Sequence, residues 1–169
     1  MSVAPTPNDF VPSVETQSLY RAALSGYATG ITVVTTQSER GPLGMTANSF
    51  TSISLEPPLV MWSPAKSSLR YPHFAAARYF AIHILSQDQT ELASSFARNG
   101  EDFDACDWSA CPDGVPLLEN CLTRLECETH DIHDCGDHAM IVGRVRRVVA
   151  SEGPPLVFAK GQFGKFLTI

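Results

Sequence analysis

The stretch GMTANSFTSISLEPPLVMWSPAKSSLR, from Gly44 to Arg70, governs how the rest of the chain is read. It opens with strict alternation. Thr46, Asn48, Phe50, Ser52 and Ser54 point one way along an extended strand, and Met45, Ala47, Ser49, Thr51 and Ile53 point the other. So many small hydroxyl and amide side chains do not build an apolar core; they let a ligand approach the backbone and offer it hydrogen bonds. Pro57 and Pro58 close a turn, and Leu59-Val60-Met61-Trp62 reads as a second, fully buried strand. Ser63 to Ser68 then sets one lysine and three serines where a strand gives way to a helical turn. Loop amides, hydroxyls and a cation together suit a phosphate. Spacing alone leaves open a plainer reading, a solvated strand face followed by an ordinary capped helix start.

Outward from this stretch, composition sets the class. The 169 residues make one domain, and 44% hydrophobic against 18% charged residues suffices for a core and argues against disorder. No apolar run is long enough to span a membrane. Residues 1–16, MSVAPTPNDFVPSVET, lack the basic-then-apolar pattern of a secretory signal and read as a loose arm, leaving 17–169 as the folded domain. A net charge of −6 and a pI near 5.2, with no basic cluster, argue against a nucleic-acid surface. The five cysteines form no C-x-x-C pair and are expected to be reduced and mostly buried, with a cytoplasmic location as the default.

Leu19 to Tyr27 has helical spacing through Tyr20, Leu24 and Tyr27, and Ile31 to Thr36 is rich in strand formers. A turn at Ser38 to Pro42 joins that strand to the central stretch. Ser68 to Ala77 reads as a short helical region interrupted by Pro72, and Tyr79 to Leu85 as an apolar strand whose His83 is a packed or surface histidine rather than a catalytic one. Ser86 and Gln89 form a capping-box pattern for a helix running to about Ala97. Asn99 to Asn120 reads as a long irregular connection. Leu122 to His130 alternates, with Leu125, Cys127 and Thr129 on one face; Ala139 to Val149 exposes Arg144, Arg146 and Arg147; Leu156 opens a final strand before a Gly-rich tail. Short strands at this spacing, with two or three helices, predict an antiparallel barrel.

His130-Asp131-Ile132-His133-Asp134-Cys135-Gly136-Asp137-His138 packs three histidines, a cysteine and three aspartates into nine residues. It invites a metal-site reading, but Gly136 and the flanking strands make it a hairpin, and its spacing matches no zinc pattern. The chain has no Gly-x-Ser-x-Gly elbow, no Walker loop and no G-x-G-x-x-G after a strand. It has no obvious nucleophile or carboxylate pair either.

Taken in order, GITVVTT at Gly30 to Thr36, GMTANSFTSISLEPPLV, the serine-rich loop and Gly136-Asp137-His138 resemble the short-chain flavin reductases, from about Leu19 to the C-terminus. The resemblance implies a mainly β fold, an antiparallel Greek-key split barrel that binds FMN, with a few short helices and a homodimer whose flavin site lies near the interface. It implies hydride transfer from NADH or NADPH to FMN or FAD, with reduced flavin supplied to an oxygenase component. By the same resemblance, Met45, Thr46, Ala47, Asn48, Ser49 and Ser52 line the isoalloxazine and ribityl chain, Trp62 and Ser63 border them, and Lys66, Ser67 and Ser68 hold the phosphate. Phe96 is a candidate wall residue or plain core, and His138 contacts the nicotinamide. Two departures reduce positive charge near that site: Glu101-Asp102-Phe103 where relatives carry Asp-Lys/Arg-Phe, and Gly161-Gln162-Phe163-Gly164-Lys165 where they carry Gly-Arg-Tyr-Gly-Arg. The alternatives are a non-catalytic FMN-binding protein or electron carrier on the same barrel and, from another class, a metal-binding protein using residues 130–138.

Overall fold

A computed structural model describes residues 9–168, so the first half of the expected N-terminal arm lies outside the described residues. In chain order the elements are α1 (Gln17–Leu24), β1 (Thr29–Gly30), β2 (Thr32–Ser38), β3 (Gly41–Ala47), β4 (Thr51–Leu55), β5 (Pro58–Trp62), α2 (Tyr71–Ala76) and β6 (Tyr79–Ile84). There follow α3 (Thr90–Arg98), β7 (Trp108–Ala110), β8 (Pro116–Leu118), β9 (Thr123–Cys135), β10 (His138–Ala150), β11 (Leu156–Ala159) and β12 (Gln162–Lys165). The main sheet has seven antiparallel strands in the order β3-β2-β6-β9-β10-β5-β4. A three-stranded sheet, β1-β11-β12, and the β7-β8 hairpin flank it.

Strand order and chain length together force the barrel. The two edge strands, β3 and β4, are consecutive in sequence and joined only by residues 48–50. Four Cα steps span at most about 14 Å, whereas the edges of a flat sheet of seven strands lie about 29 Å apart. The sheet therefore coils until its edges meet, leaving a seam rather than a hydrogen-bonded closure. This is the split barrel.

The interior of the coil is filled by Val34, Met45, Val60, Trp62, Phe80 and Ile141, with Phe74 of α2 closing one side edge-on against Trp62. A second cluster, including Ile31, Val33, Leu85, Phe96, Phe103 and Leu156, lies on the other face of β2 beneath α3. Because β2 is covered on both faces, Thr32 to Thr36 are all buried, and its threonines spend their hydroxyls on carbonyls: Thr32 on Ala47, Thr35 on Pro116 and Thr36 on Tyr79.

Several local expectations need correction. The single strand read over residues 45–54 is two strands at opposite edges of the sheet, separated by the seam linker. β5 is not wholly buried: Val60 and Trp62 point inward, while Leu59 and Met61 are half-buried on the other face. Pro72 does not interrupt α2 but sits in its first turn, where a missing N–H costs nothing. Gln89 does reach back to the Ser86 N–H at 3.0 Å, yet α3 begins at Thr90, so the pair closes a turn rather than capping the helix. The 99–120 segment contains a 3₁₀ turn at Phe103–Ala105 and the β7-β8 hairpin, and the tail forms β12. Cys127 is buried, but Cys135 is exposed; all five cysteines are free thiols.

Candidate active site

The seam opens into a cleft of about 710 Å³, the size of a small-molecule site. Asn48, Ser49 and Phe50 line it from the linker, Thr51 from the start of β4, and Thr29 from β1. Arg21 and Tyr27 border it from α1 and the residues just after. Ser49 holds the linker in place: its Oγ accepts the Ser63 N–H at 2.9 Å and donates to the Ser63 carbonyl at 3.2 Å. The linker is thereby stapled to the end of β5. Thr46 Oγ1 donates to the Ala93 carbonyl at 2.7 Å, tying β3 to α3. Thr29 Oγ1 is buried with no hydrogen-bond partner and is closed off from the cleft's solvent.

A second cavity, of about 400 Å³, is lined by Ser68, Arg40, Arg70, His73, Arg98 and Glu101, among others. Arg70 is committed to structure. Its guanidinium donates to the carbonyls of Gly44 (3.1 Å), Phe96 (2.5 Å) and Ala97 (3.0 Å), binding β3 to the C-terminal end of α3. Burial pushes its pKa down, though a guanidinium keeps its charge regardless. Arg40 pairs with Glu101 at 3.3 Å. Arg98 and His73 form no ion pair among the described residues, so the cavity keeps positive charge despite Glu101.

The close approach of β3 to α3 explains a glycine in the central motif. A Cβ on Gly44 would lie 2.5 and 2.6 Å from Phe96 ring atoms. Its N–H donates to the Gly100 carbonyl at 2.8 Å.

The histidine-rich segment is a hairpin whose turn is only Gly136-Asp137, with Cys135 opposite His138. Gly136 has φ +67° and Asp137 does not have a positive φ, the signature of a type II′ turn. His130 and His133 fall on β9 and are exposed, and His133 faces Asp131 at 3.3 Å. Among the described residues no three His, Cys, Asp or Glu side chains converge as a metal-binding group. His138, its side chain 44% exposed, has Nδ1 2.7 Å from Asp137 Oδ1. That contact holds the Asp137 carboxyl below its usual range.

The family description "Flavin reductase like domain" matches residues 24–166, most of the chain. The chain belongs to this family. It is 51% identical over 162 residues to FMN reductase (NADH) SmoA of Agrobacterium fabrum, covering 96% of this chain and 93% of that one. It is 39% identical to the reductase component of a flavin-dependent trigonelline monooxygenase from Acinetobacter baylyi, covering 85% of this chain and 47% of that longer one. Among solved structures, the NADH:FAD oxidoreductase SgcE6 of Streptomyces globisporus, in complex with NAD and FAD fragments, superposes with a TM-score of 0.87 at 33% identity, covering 94% of this chain and 98% of that one.

Against the flavin reductase expectation, the named residues separate into four places. Asn48 and Ser49 line the seam cleft, with Ala47 and Ser63 half-buried on either side of the linker. Ser68 lines the basic cavity, while Ser52 and Ser67 are exposed and line neither. Lys66 and His138 meet at the hairpin. Met45, Trp62 and Phe96 are core: Trp62 is 0% exposed with its ring on Phe74, and Phe96 is packed edge-on to Phe103. The border role expected of Trp62 and the wall role raised for Phe96 are therefore withdrawn, because neither ring reaches the surface.

The sequence reading missed Arg21, Tyr27 and Thr29, which belong to other elements, and Arg98 and His73 beside Ser68. Thr29 directly precedes the GITVVTT motif and was within reach of that pattern. The cleft suits a flavin ring: Phe50, Tyr27 and Phe158 supply aromatic surface, and Thr29, Asn48 and Arg21 supply polar edges.

Proposed function

We propose that this chain carries out the flavin reductase reaction with NADH as donor and FMN as the preferred flavin, binding the ring in the seam cleft. The observation that carries this reading is the cleft itself: an aromatic and hydroxyl-lined opening at the barrel's seam. SmoA, similar over nearly its whole length, supports the FMN and NADH pairing. Asn48, Ser49 and the backbone of the linker would hold the isoalloxazine and ribityl chain. Ser67 and Ser68, with Arg98 and His73 of the basic cavity, would hold the phosphate. His138 would meet the nicotinamide: with Nδ1–H directed at Asp137, Nε2 is left to accept from the carboxamide.

Hydride acceptance at N5 is chemistry that belongs to the flavin itself. The protein's part is to fix the ring, exclude water from its buried face and leave the other face open to the donor. Reduced flavin would then pass to an oxygenase component, a reading supported by the likeness to the reductase component of trigonelline monooxygenase.

The reading includes a homodimer in the cytoplasm. α1 buries none of its residues, although Leu19, Tyr20 and Leu24 are all exposed, and an isolated eight-residue helix does not persist in water. Tyr27 is 80% exposed and Leu55 on β4 is 94% exposed. A second copy laid over α1 and β4 would cover this apolar surface and wall the cleft from outside. A monomer by light scattering would contradict that.

The test of function is NADH oxidation by the purified protein with FMN, FAD and riboflavin as acceptors. FMN-dependent turnover is expected; tight FMN binding with no NADH oxidation would make the protein an electron carrier on the same fold. Arg98→Ala is expected to weaken FMN by about 1–2 kcal/mol and riboflavin hardly at all. Equal loss for both would remove the phosphate assignment.

A further inference from the structure

The one cation of the serine-rich loop is not turned toward the basic cavity. Lys66 Nζ lies 2.6 Å from Asp134 Oδ2 and 2.6 Å from the Gly136 carbonyl oxygen. Its backbone N–H donates to the Asp137 carbonyl at 2.9 Å, Ala65 forms a bridge with His138, and the Ala139 N–H donates to the Pro64 carbonyl at 3.1 Å. Residues 64–66 thus run beside the start of β10, while the lysine side chain reaches across the turn to β9. Lys66 grips β9 and the turn, while Pro64 and Ala65 hold the start of β10.

Beyond the β9–β10 ladder and these backbone contacts of residues 64–66, the turn has little else to hold it. Asp134, Cys135, Gly136 and Asp137 are all exposed, so no packed side chain fixes the tip. Among the described residues, Lys66 makes the only side-chain hydrogen bonds to residues 134–138 from outside the hairpin. Its own side chain is 29% exposed against 82% for Asp134, so the lysine as a whole is the better shielded partner. The contact holds the Asp134 carboxyl below its usual range. Swinging Lys66 to a phosphate would strand the Gly136 carbonyl contact and release the carboxylate.

We propose that Lys66 is a positioning residue for His138: it latches the β9–β10 turn to the serine loop so that the imidazole is presented to the nicotinamide, and it does not hold the flavin phosphate. This rests on the reading of His138 as the nicotinamide contact. The phosphate is left to Ser67, Ser68, Arg98 and His73.

Three variants test the latch: Lys66→Met, Asp134→Asn and Lys66→Arg. Lys66→Met and Asp134→Asn are each expected to raise the KM for NADH about three- to tenfold, with FMN affinity within twofold of wild type. The double variant is expected to cost no more than Lys66→Met alone, because that change already removes the Lys66–Asp134 contact on which Asp134→Asn acts. Lys66→Arg, which keeps the charge and two donors, is expected to restore most of the NADH KM. Amide exchange at residues 135–139 is expected to quicken in Lys66→Met and Asp134→Asn alone. Opposite effects of Lys66→Met and Asp134→Asn on NADH would instead mean simple charge attraction for the dinucleotide. Loss of FMN but not riboflavin in Lys66→Met would make the lysine a phosphate ligand. Either result overturns the proposal. A wild-type protein inactive with NADH would remove the functional reading, and the exchange measurement would still decide whether Lys66 holds the turn.

Discussion

Ser49→Ala is the perturbation that links the barrel's seam to its ligand most directly. The hydroxyl accepts the Ser63 N–H at 2.9 Å and donates to the Ser63 carbonyl at 3.2 Å, and both residues are half-buried. Removing it deletes two hydrogen bonds and leaves two backbone groups short of partners, a loss of about 1–2 kcal/mol in stability. In a domain of this size that is a fall in Tm of about 3–7 °C. The same change frees the 48–50 linker, which must then be ordered when flavin binds. Fixing even part of one residue's backbone costs about 1 kcal/mol, so flavin affinity is expected to fall about fivefold. Urea unfolding followed by tryptophan fluorescence reads the first quantity, and quenching of flavin fluorescence on titration reads the second. Ser49→Thr keeps the hydroxyl and is expected to lose less than half as much of each. If Ser49→Ala matched wild type in both within about 0.3 kcal/mol, inside the scatter of surface substitutions, the stapled seam would not be what shapes the site.

Other consequences follow from the same contacts. Gly44→Ala puts a Cβ into the Phe96 ring, which Phe103 holds edge-on at 5.0 Å, so a loss of about 2 kcal/mol in urea unfolding is expected, partly recovered by adding Phe96→Leu. His138→Ala is expected to raise the KM for NADH about tenfold with flavin affinity unchanged, whereas His130→Ala and His133→Ala leave NADH kinetics alone; equal losses from all three would revive the metal reading. His83 is fully buried, its Nδ1 3.0 Å from the Val33 carbonyl and its Nε2 accepting the Leu118 N–H at 3.1 Å. Burial lowers its pKa from 6.5 to about 4, with the nearby Arg124 adding to the fall. Above the unfolded value the ring is neutral in both states. As pH drops from 6.5 toward 4 only the unfolded chain takes up the proton, so stability is lost over that window by on the order of 3 kcal/mol. Urea midpoints at several pH values check this, and His83→Gln should flatten the slope.

The fold was legible because its punctuation is local. The double proline at 57 and 58, the Gly136-Asp137 turn and the alternation of Leu125 and Cys127 each fix a strand end or face without reference to distant residues. What the alternation over 45–54 could not reveal is that the chain changes strand partner at Asn48. Period-2 patterning continues through the linker, and only the sheet order separates β3 from β4. Long-range packing decided the rest. Trp62 and Phe96 look the same in sequence whether they wall a cleft or fill a core, and Gly44 against Phe96 is a contact between residues 52 positions apart. Lys66 is a similar case: a lysine among serines has the chemistry of a phosphate seat, but the partner its ammonium meets lies 68 residues on, at Asp134. His83 reads in sequence as packed or surface rather than catalytic, and the structure decides for packed: inside YFAIHIL it has apolar neighbours on both sides.

The most direct test of the account is an anaerobic stopped-flow experiment in which the chelator-treated protein, saturated with FMN, is mixed with NADH and the flavin's visible absorbance is followed. Fast, complete bleaching with one NADH consumed per flavin is predicted, slowed in His138→Ala. Flavin that stays oxidised while bound, or bleaching no faster than in protein-free buffer, would contradict the reductase assignment.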